Sequence, residues 1–355
     1  MADLLEPVIL GDTIQLRNRV CMGSMTRNRC IDDNKPTEAS IKHYVDRARD
    51  GTGLIIAEGT FISPHGAEWP HAPVMYNDEH ARAWAKVTSA VHDVGGKIFF
   101  QPWHAGRIQN ENMPMLKDNG YPVYAPSKIA AKGGKFRTLE GTPGHTHNIV
   151  EIDNPKAFVG QYRHSVTLAK EAGFDGIELL SQGHSNSRTD EYGGSVENRC
   201  RFPLEVLDAM IEVWGSRSEL SETYTYYIEE LMRRDLAFIN LSRRGCDGKE
   251  LPPKYDPVLQ FGPMIRCPGS RTMLMVNHEY TVEEASALIK AGKVDLVTFA
   301  RPFIYNPDLI SRIKHKVSLA KNDRGGRVNY GPFEDPNENY NDWPSMTRRS
   351  QAVSD

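Results

Sequence analysis

The chain has 355 residues, with 43 Lys+Arg against 46 Asp+Glu for a formal net charge of −3, and it is 39% hydrophobic and 25% charged. That composition is globular and excludes a disordered or fibrous chain, and the near balance of charge leaves no basic footprint for nucleic acid. No run approaches the ~18 apolar residues of a membrane span, Met1 to Pro7 show no secretory signal, and five scattered cysteines without CxxC spacing fit reduced thiols in a cytoplasmic protein.

The length allows two ordinary domains or one (β/α)₈ barrel. In chain order, Val8-Ile9-Leu10, Gly11-Asp12 and Thr13 to Leu16 predict a β-hairpin, and Val20 to Met25 a short strand. Ile41, Tyr44, Val45 and Ala48 recur at helical spacing, Leu54 to Ala57 reads as strand two, Trp84, Val87 and Val91 mark a helix, and Lys97 to Gln101 is strand three. A Gly- and Pro-rich loop is expected from about Trp103 to Asn154, a length that usually signals function. The helix with Phe158, Tyr162, Val166 and Ala169 ends near Gly173. Gly176 to Leu180 is strand four, and Leu207, Met210, Ile211 and Trp214 line the following helix.

Strands are further expected at Leu236 to Leu241, Thr272 to Val276 and Asp295 to Ala300, the last two separated by a helix with Val282, Ala285, Leu288 and Ile289. Strand alternating with helix implies right-handed βαβ units and a parallel sheet. Even strand spacing, a hairpin suited to plug a barrel floor, and the absence of GxGxxG after any strand favour a closed barrel over an open sheet. Only seven strands are visible. Gly215 to Leu220 reads as a helix–turn–helix link between the helix ending at Trp214 and the one with Tyr224, Tyr227, Ile228 and Leu231, so strand five is expected to be missing or shortened.

In parallel barrels, chemistry sits at the C-terminal strand ends. Those ends carry Gly23-Ser24-Met25-Thr26-Arg27, Glu58-Gly59-Thr60, Gln101-Pro102-Trp103-His104-Ala105-Gly106-Arg107 and Ala300-Arg301-Pro302-Phe303. Neutral hydrogen-bonding groups with a backbone-exposing glycine suit a planar heterocycle, and an arginine after the last strand suits a phosphate. Together they point to a mononucleotide such as a flavin. Taken singly, Thr26 could cap a turn, Gln101 could satisfy a loop, and Arg301 could form a surface ion pair.

The run Arg188-Thr189-Asp190-Glu191-Tyr192-Gly193-Gly194-Ser195-Val196-Glu197-Asn198-Arg199-Cys200-Arg201-Phe202 is a long, specific fingerprint. With Met25 to Arg29, Ala57 to Pro64, Gln101 to Arg107 and Arg301 to Leu309, it makes the chain resemble the old yellow enzyme family, FMN-dependent NAD(P)H ene-reductases on a TIM (β/α)₈ barrel, with a 12-oxophytodienoate-reductase-like, fungal tone. The resemblance spans about residues 6 to 345 and implies a single flavin-binding barrel domain over 1–355, with a polar C-terminal extension from about 335. It implies FMN as cofactor, NADPH or NADH as hydride donor, a small enone-type substrate, and a monomer or homodimer. Thr26 resembles the threonine bonded to flavin O4. Ser24 and Met25 would line the ring, Gly59 would approach it beside O4, and Gln101 would pair with its pyrimidine edge. Trp103 would border the substrate. Arg301, with backbone near Asn277 and Ala300, would hold the phosphate. Tyr330 resembles the aromatic that shields the site.

The chain also departs from the family. The resemblance implies a His and an Asn or His donor after strand four, followed by Gly-Tyr-Leu with the proton-donating tyrosine. Here Leu180 and Gly183 take the donor places, and the Gly-Tyr-Leu segment is absent. Gln182 and His184 are the available substitutes, although His184-Ser185-Asn186 also matches a structural part of the family pattern. The gap at 215–220 removes the basic residue expected beside flavin N1 and O2, and Cys246 to Lys249 is a third shortening. Three readings follow: an ene-reductase with substitute donors, a catalytically impaired or truncated homologue (a pseudoenzyme or a gene-model or splice product) that still binds FMN, and a non-redox barrel for a phosphorylated ligand.

Overall fold

A computed structural model describes residues 2–132, 141, 144–181, 185–215, 219–221, 225–243, 256–325 and 333–346. Eight parallel strands form the barrel: β3 (Val20–Met22), β4 (Leu54–Ile56), β6 (Ile98–Phe100), β10 (Gly176–Leu180), β11 (Glu219–Ser221), β12 (Phe238–Ser242), β13 (Met273–Asn277) and β14 (Leu296–Phe299). Their order is β11–β10–β6–β4–β3–β14–β13–β12. The antiparallel hairpin of β1 (Val8–Leu10) and β2 (Ile14–Leu16) precedes them, in register Val8↔Leu16.

Alternation decides the layers. Ile55, Ile98, Phe100, Ile177, Leu179, Ile239, Leu241, Leu274, Val276, Val297 and Phe299 face the helices. Cys21, Leu54, Ile56, Phe99, Phe238, Met275 and Leu296 pack inside the barrel, where Leu10 and Leu16 of the hairpin close the floor. Successive strand side chains point to opposite faces, so both faces must be apolar when helices cover the outside. Gly176 is an inward position with room only for hydrogen, since a Cβ there would stand 2.6 Å from the Phe99 ring.

The helices that cover the barrel start where the chain supplies caps. Thr37 and Ser40 form a capping box on α1 (Glu38–Arg49), and Asn77 caps α2 (Asp78–Asp93). Asn154 caps α4 (Pro155–Glu171), and Ser195 caps α5 (Val196–Trp214). Each cap satisfies amide groups that a helix start leaves unpaired. Next come α6 (Thr225–Met232), α7 (Pro257–Ile265) and α8 (Val282–Lys290), then the short α9 (Arg301–Tyr305) and α10 (Leu309–His315).

Two expectations change. The fifth barrel strand is present, and at three residues it is as long as β3, β4 and β6. Glu219–Ser221 pairs with β10 in the register Glu178↔Glu219, Leu179↔Leu220, Leu180↔Ser221. Apolar periodicity overlooks it because it reads Glu-Leu-Ser and carries no apolar run. It sits beside β12, but among the described residues the two share no ladder, so the barrel closes there on a seam. The loop after Trp103 is not structureless either. β5 (Thr60–Phe61) pairs with β7 (Pro102–Trp103), α3 (Pro114–Lys117) follows, and β8 (Val123–Ala125) pairs in parallel with β9 (Ile149–Glu151). The shortening read at Cys246 to Lys249 lies outside the described residues. At the C-terminal end the polar stretch is anchored by aromatics. Tyr340 stacks on His43 with ring centroids 4.1 Å apart, and Trp343 packs on Tyr305.

Candidate active site

Above the apolar layer, the same inward positions turn polar two residues later on strand after strand. Phe99 is followed by Gln101, Gly176 by Glu178, Phe238 by Asn240, Met275 by Asn277 and Leu296 by Thr298. A period of two keeps each pair on one face, so the C-terminal end of the barrel carries a polar ring over a greasy floor. Four of its members are hydrogen-bonded into a chain. Gln101 Nε2 donates to Glu178 Oε1 at 2.7 Å, Asn240 Nδ2 donates to Glu178 Oε2 at 3.2 Å, and Asn277 Nδ2 donates to Asn240 Oδ1 at 2.8 Å. Burial pushes the Glu178 carboxyl above the ordinary glutamate range, against the two amide bonds that favour its ionised form. Thr298 Oγ1 is buried without a hydrogen-bond partner.

The neighbouring strand ends complete the rim. A Cβ on Gly59 would stand 2.8 Å from Trp103 Cε3 and 3.3 Å from Gln101 Oε1. Only glycine leaves these two side chains where they are, and Gln101 Oε1 has no partner among the described residues. Trp103 stacks on Phe61 at 5.3 Å, in the layer where β5 pairs with β7. Ser24, Met25 and Thr26 are half-buried in the segment after β3. That segment is pinned from below: the Arg27 amide donates to Glu58 Oε2 at 2.9 Å, and the Arg27 guanidinium donates to the Asn339 carbonyl at 2.9 Å and lies over Tyr340. The Tyr44 hydroxyl accepts from the Glu58 amide at 3.0 Å, locking the end of β4 to α1.

At the opposite rim, Asn277 ends β13, and Ala300 and Arg301 follow β14. Arg301 is exposed. The helix it opens is clamped by buried Arg47, whose Nε and Nη2 donate to the Phe303 carbonyl at 3.0 and 2.8 Å. Arg243, after β12, is an ion-paired rim residue: it pairs with Glu284 at 3.0 Å and stacks on Tyr280. Beyond Trp103, His104 Nε2 and His65 Nδ1 lie 3.0 Å apart. Burial lowers the His65 pKa to about 4 and the His104 pKa to about 3, so the pair is neutral and shares one proton-donor contact.

Thus Gly59, Gln101 and Trp103 are brought together; Asn277 ends β13 and Ala300 and Arg301 follow β14, its paired neighbour, and Ser24, Met25 and Thr26 follow Gly23, which lies against Ala300. Gln182, His184 and Tyr330 lie outside the described residues. Sequence reading passed over Glu178, Asn240 and Thr298. The repeated apolar-x-polar step at the strand ends is the signal that finds them.

The donor set suits FMN. An orphaned buried hydroxyl, an unspent amide carbonyl and a glycine that admits no side chain make a neutral face for a heterocycle, and a cation follows the last strand. A model of the NADH:flavin oxidoreductase / NADH oxidase family matches residues 3–222. The chain belongs to this family. It is 34% identical to a probable flavin mononucleotide-dependent alkene reductase of Leishmania infantum, with 97% of each chain covered. It is 32% identical to 12-oxophytodienoate reductase 7 of Oryza sativa subsp. japonica, over 94% of this chain and 92% of the relative. The old yellow enzyme homologue of Zymomonas mobilis superposes with a TM-score of 0.82 at 32% identity, covering 96% of this chain and 99% of that one. Morphinone reductase gives 0.82 at 32%, covering 98% and 97%. The protein is therefore an old yellow enzyme family oxidoreductase that uses FMN and NAD(P)H. The family match ends one residue past β11. No helix among the described residues is long and apolar enough to cross a membrane.

Proposed function

We propose that the polar ring is the FMN site of an ene-reductase acting on small α,β-unsaturated carbonyl compounds. Gln101 and Thr26 face the pyrimidine side of the ring, with Gly59 admitting it closely and Ser24 and Met25 lining it. Arg301 and the backbone at Asn277 and Ala300 take the phosphate, and Trp103 walls the substrate. Bound FMN supplies hydride transfer from NAD(P)H to the β-carbon of the alkene. The chain's own residues orient the ring, neutralise the phosphate and keep bulk water off the floor. The observation that carries this reading is the repeated polar step at five strand ends above an apolar interior. Such a ring offers hydrogen-bonding groups of the kind a bound heterocycle takes.

On the strand-four side, Leu180 lies two residues beyond inward-facing Glu178 and so shares its face. An apolar residue there cannot polarise a carbonyl, and that favours a second reading, a flavin-binding homologue of reduced activity. Gln182 and His184 are the substitute donors that the first reading requires, with Tyr330 as the aromatic that shields the site. The distinguishing experiment is anaerobic spectroscopy of the purified protein. Yellow protein bleached by NADPH and recoloured by cyclohexenone supports the first reading. Bleaching without recolouring selects the second, and protein that takes up no FMN on reconstitution refutes both. We further propose a monomer or homodimer in the cytoplasm, which native mass spectrometry and fractionation test.

A further inference from the structure

The chain Gln101–Glu178–Asn240–Asn277 has a direction. Both oxygens of the Glu178 carboxylate accept from amide NH₂ groups, and an ionised carboxylate can only accept. Asn240 is held in its sense from the far side, because its Oδ1 takes the Asn277 amide. Gln101 is the free end of the chain. With its nitrogen engaged by Glu178, its Oε1 projects toward the Gly59 surface, where a Cβ would meet it at 3.3 Å. Among the described residues no cation pairs with Glu178. The side chains bonded to it, Gln101 just after β6 and Asn240 on β12, are neutral, and Glu219 holds the adjacent register position on β11.

We propose that Glu178 is a positioning residue that sets the polarity of the Gln101 amide, turning its carbonyl toward an N–H on the cofactor edge and placing a negative charge beneath that edge. The inference rests on the FMN reading above. Its physical content is an acceptor–donor match: a carbonyl facing the ring N–H binds, while an amide nitrogen facing it leaves two donors opposed. The charge beneath acts in the same direction on the redox balance. It disfavours added negative charge on the ring, so the oxidised cofactor is held more tightly than the reduced one.

The test replaces the carboxylate by its neutral isostere. In Glu178→Gln, one new NH₂ must face either Gln101 or Asn240. Turning Asn240 would also break its bond from Asn277, so Gln101 turns instead. Oxidised FMN should then bind about tenfold more weakly in fluorescence-quenching titrations. The midpoint potential should rise, by roughly 30 mV for each tenfold change in the ratio of oxidised to reduced affinity. Asn240→Leu, which removes one donor from the carboxylate and so favours its protonated form, should move both readouts the same way and guards against a folding failure of the first variant. FMN affinity and potential unchanged in both variants would overturn the inference while leaving the FMN site standing. Failure of the unsubstituted protein to bind FMN would overturn the site reading and this inference together.

Discussion

The two halves of the barrel differ in how completely they are built. On one side β14, β3, β4 and β6 pair without interruption, and the segments after them are tied by buried bonds from Arg27, Glu58, Tyr44 and Arg47. On the other side β11 meets β12 without a shared ladder among the described residues, and it follows a β10 whose last inward residue is Leu180. The complete half carries the residues proposed for ring and phosphate except Asn277, which ends β13. The other half is where the family resemblance implies the carbonyl donors and the cation beside the ring.

The largest expected contrast is in local stability. Backbone amides of β3, β4 and β6 should exchange with solvent about a hundredfold or more slowly than those of β11, since opening a strand paired on one side costs far less than opening one paired on both. Equal protection measured by hydrogen exchange and mass spectrometry would erase the distinction between the halves. On the complete side, Arg301→Ala should weaken FMN binding by about 10- to 100-fold, the range for a lost charge-assisted hydrogen bond. Unchanged affinity in equilibrium dialysis would move the phosphate elsewhere. On the other side, Leu180→His should raise kcat/KM for an enone by about tenfold, a fraction of what a well-placed carbonyl donor contributes, with FMN affinity unaltered. A fall in FMN affinity instead would place Leu180 against the cofactor.

Two smaller effects sharpen the electrostatics. Glu178 has a folded-state pKa raised above 4.5, so the stability it contributes is present below that value and is lost as pH rises through the folded pKa. Glu178→Gln should therefore raise the Tm of the cofactor-free protein at pH 7.5 by about 2 °C, the order expected from ~1 kcal/mol. No gain at pH 7.5 relative to pH 4.5 would show that the carboxylate is not destabilising. His65 and His104 are shifted the other way. Their folded pKa values, about 4 and about 3, lie below the ordinary 6.5, so the unfolded chain takes up protons that the folded chain refuses. Stability should hold above pH 6.5 and fall between pH 6.5 and about 4, and His65→Gln should flatten that slope in Tm measurements.

Part of the candidate site is legible in the sequence. The glycine at 59, the amide at 101 and the arginine at 301 stand at strand ends that hydrophobic periodicity locates, and the strand ends of a parallel barrel are where ligands sit. Glu178, Asn240 and Thr298 escaped because each looks like a polar residue inside an apolar strand. What they do depends on which strand lies alongside, and pairing order is not written in a strand's own residues. The fifth strand escaped for a related reason. Glu-Leu-Ser has no alternation to detect, and its place beside β10 follows from the need to fill the gap between β10 and β12.

By itself, the sequence of alternating strands and helices determined a parallel α/β barrel, the hairpin that plugs its floor, and the family to which its fingerprint belongs. Period-two patterning and helix caps act over a few residues, so they can be read locally. Only the tertiary structure decided that four polar side chains from β6, β10, β12 and β13 join into one hydrogen-bonded chain with a carboxylate near its centre. It also decided that the barrel keeps eight strands by retaining a three-residue fifth one. Both outcomes arise from contacts between segments far apart in the chain, where burial obliges polar groups to find partners wherever the fold supplies them.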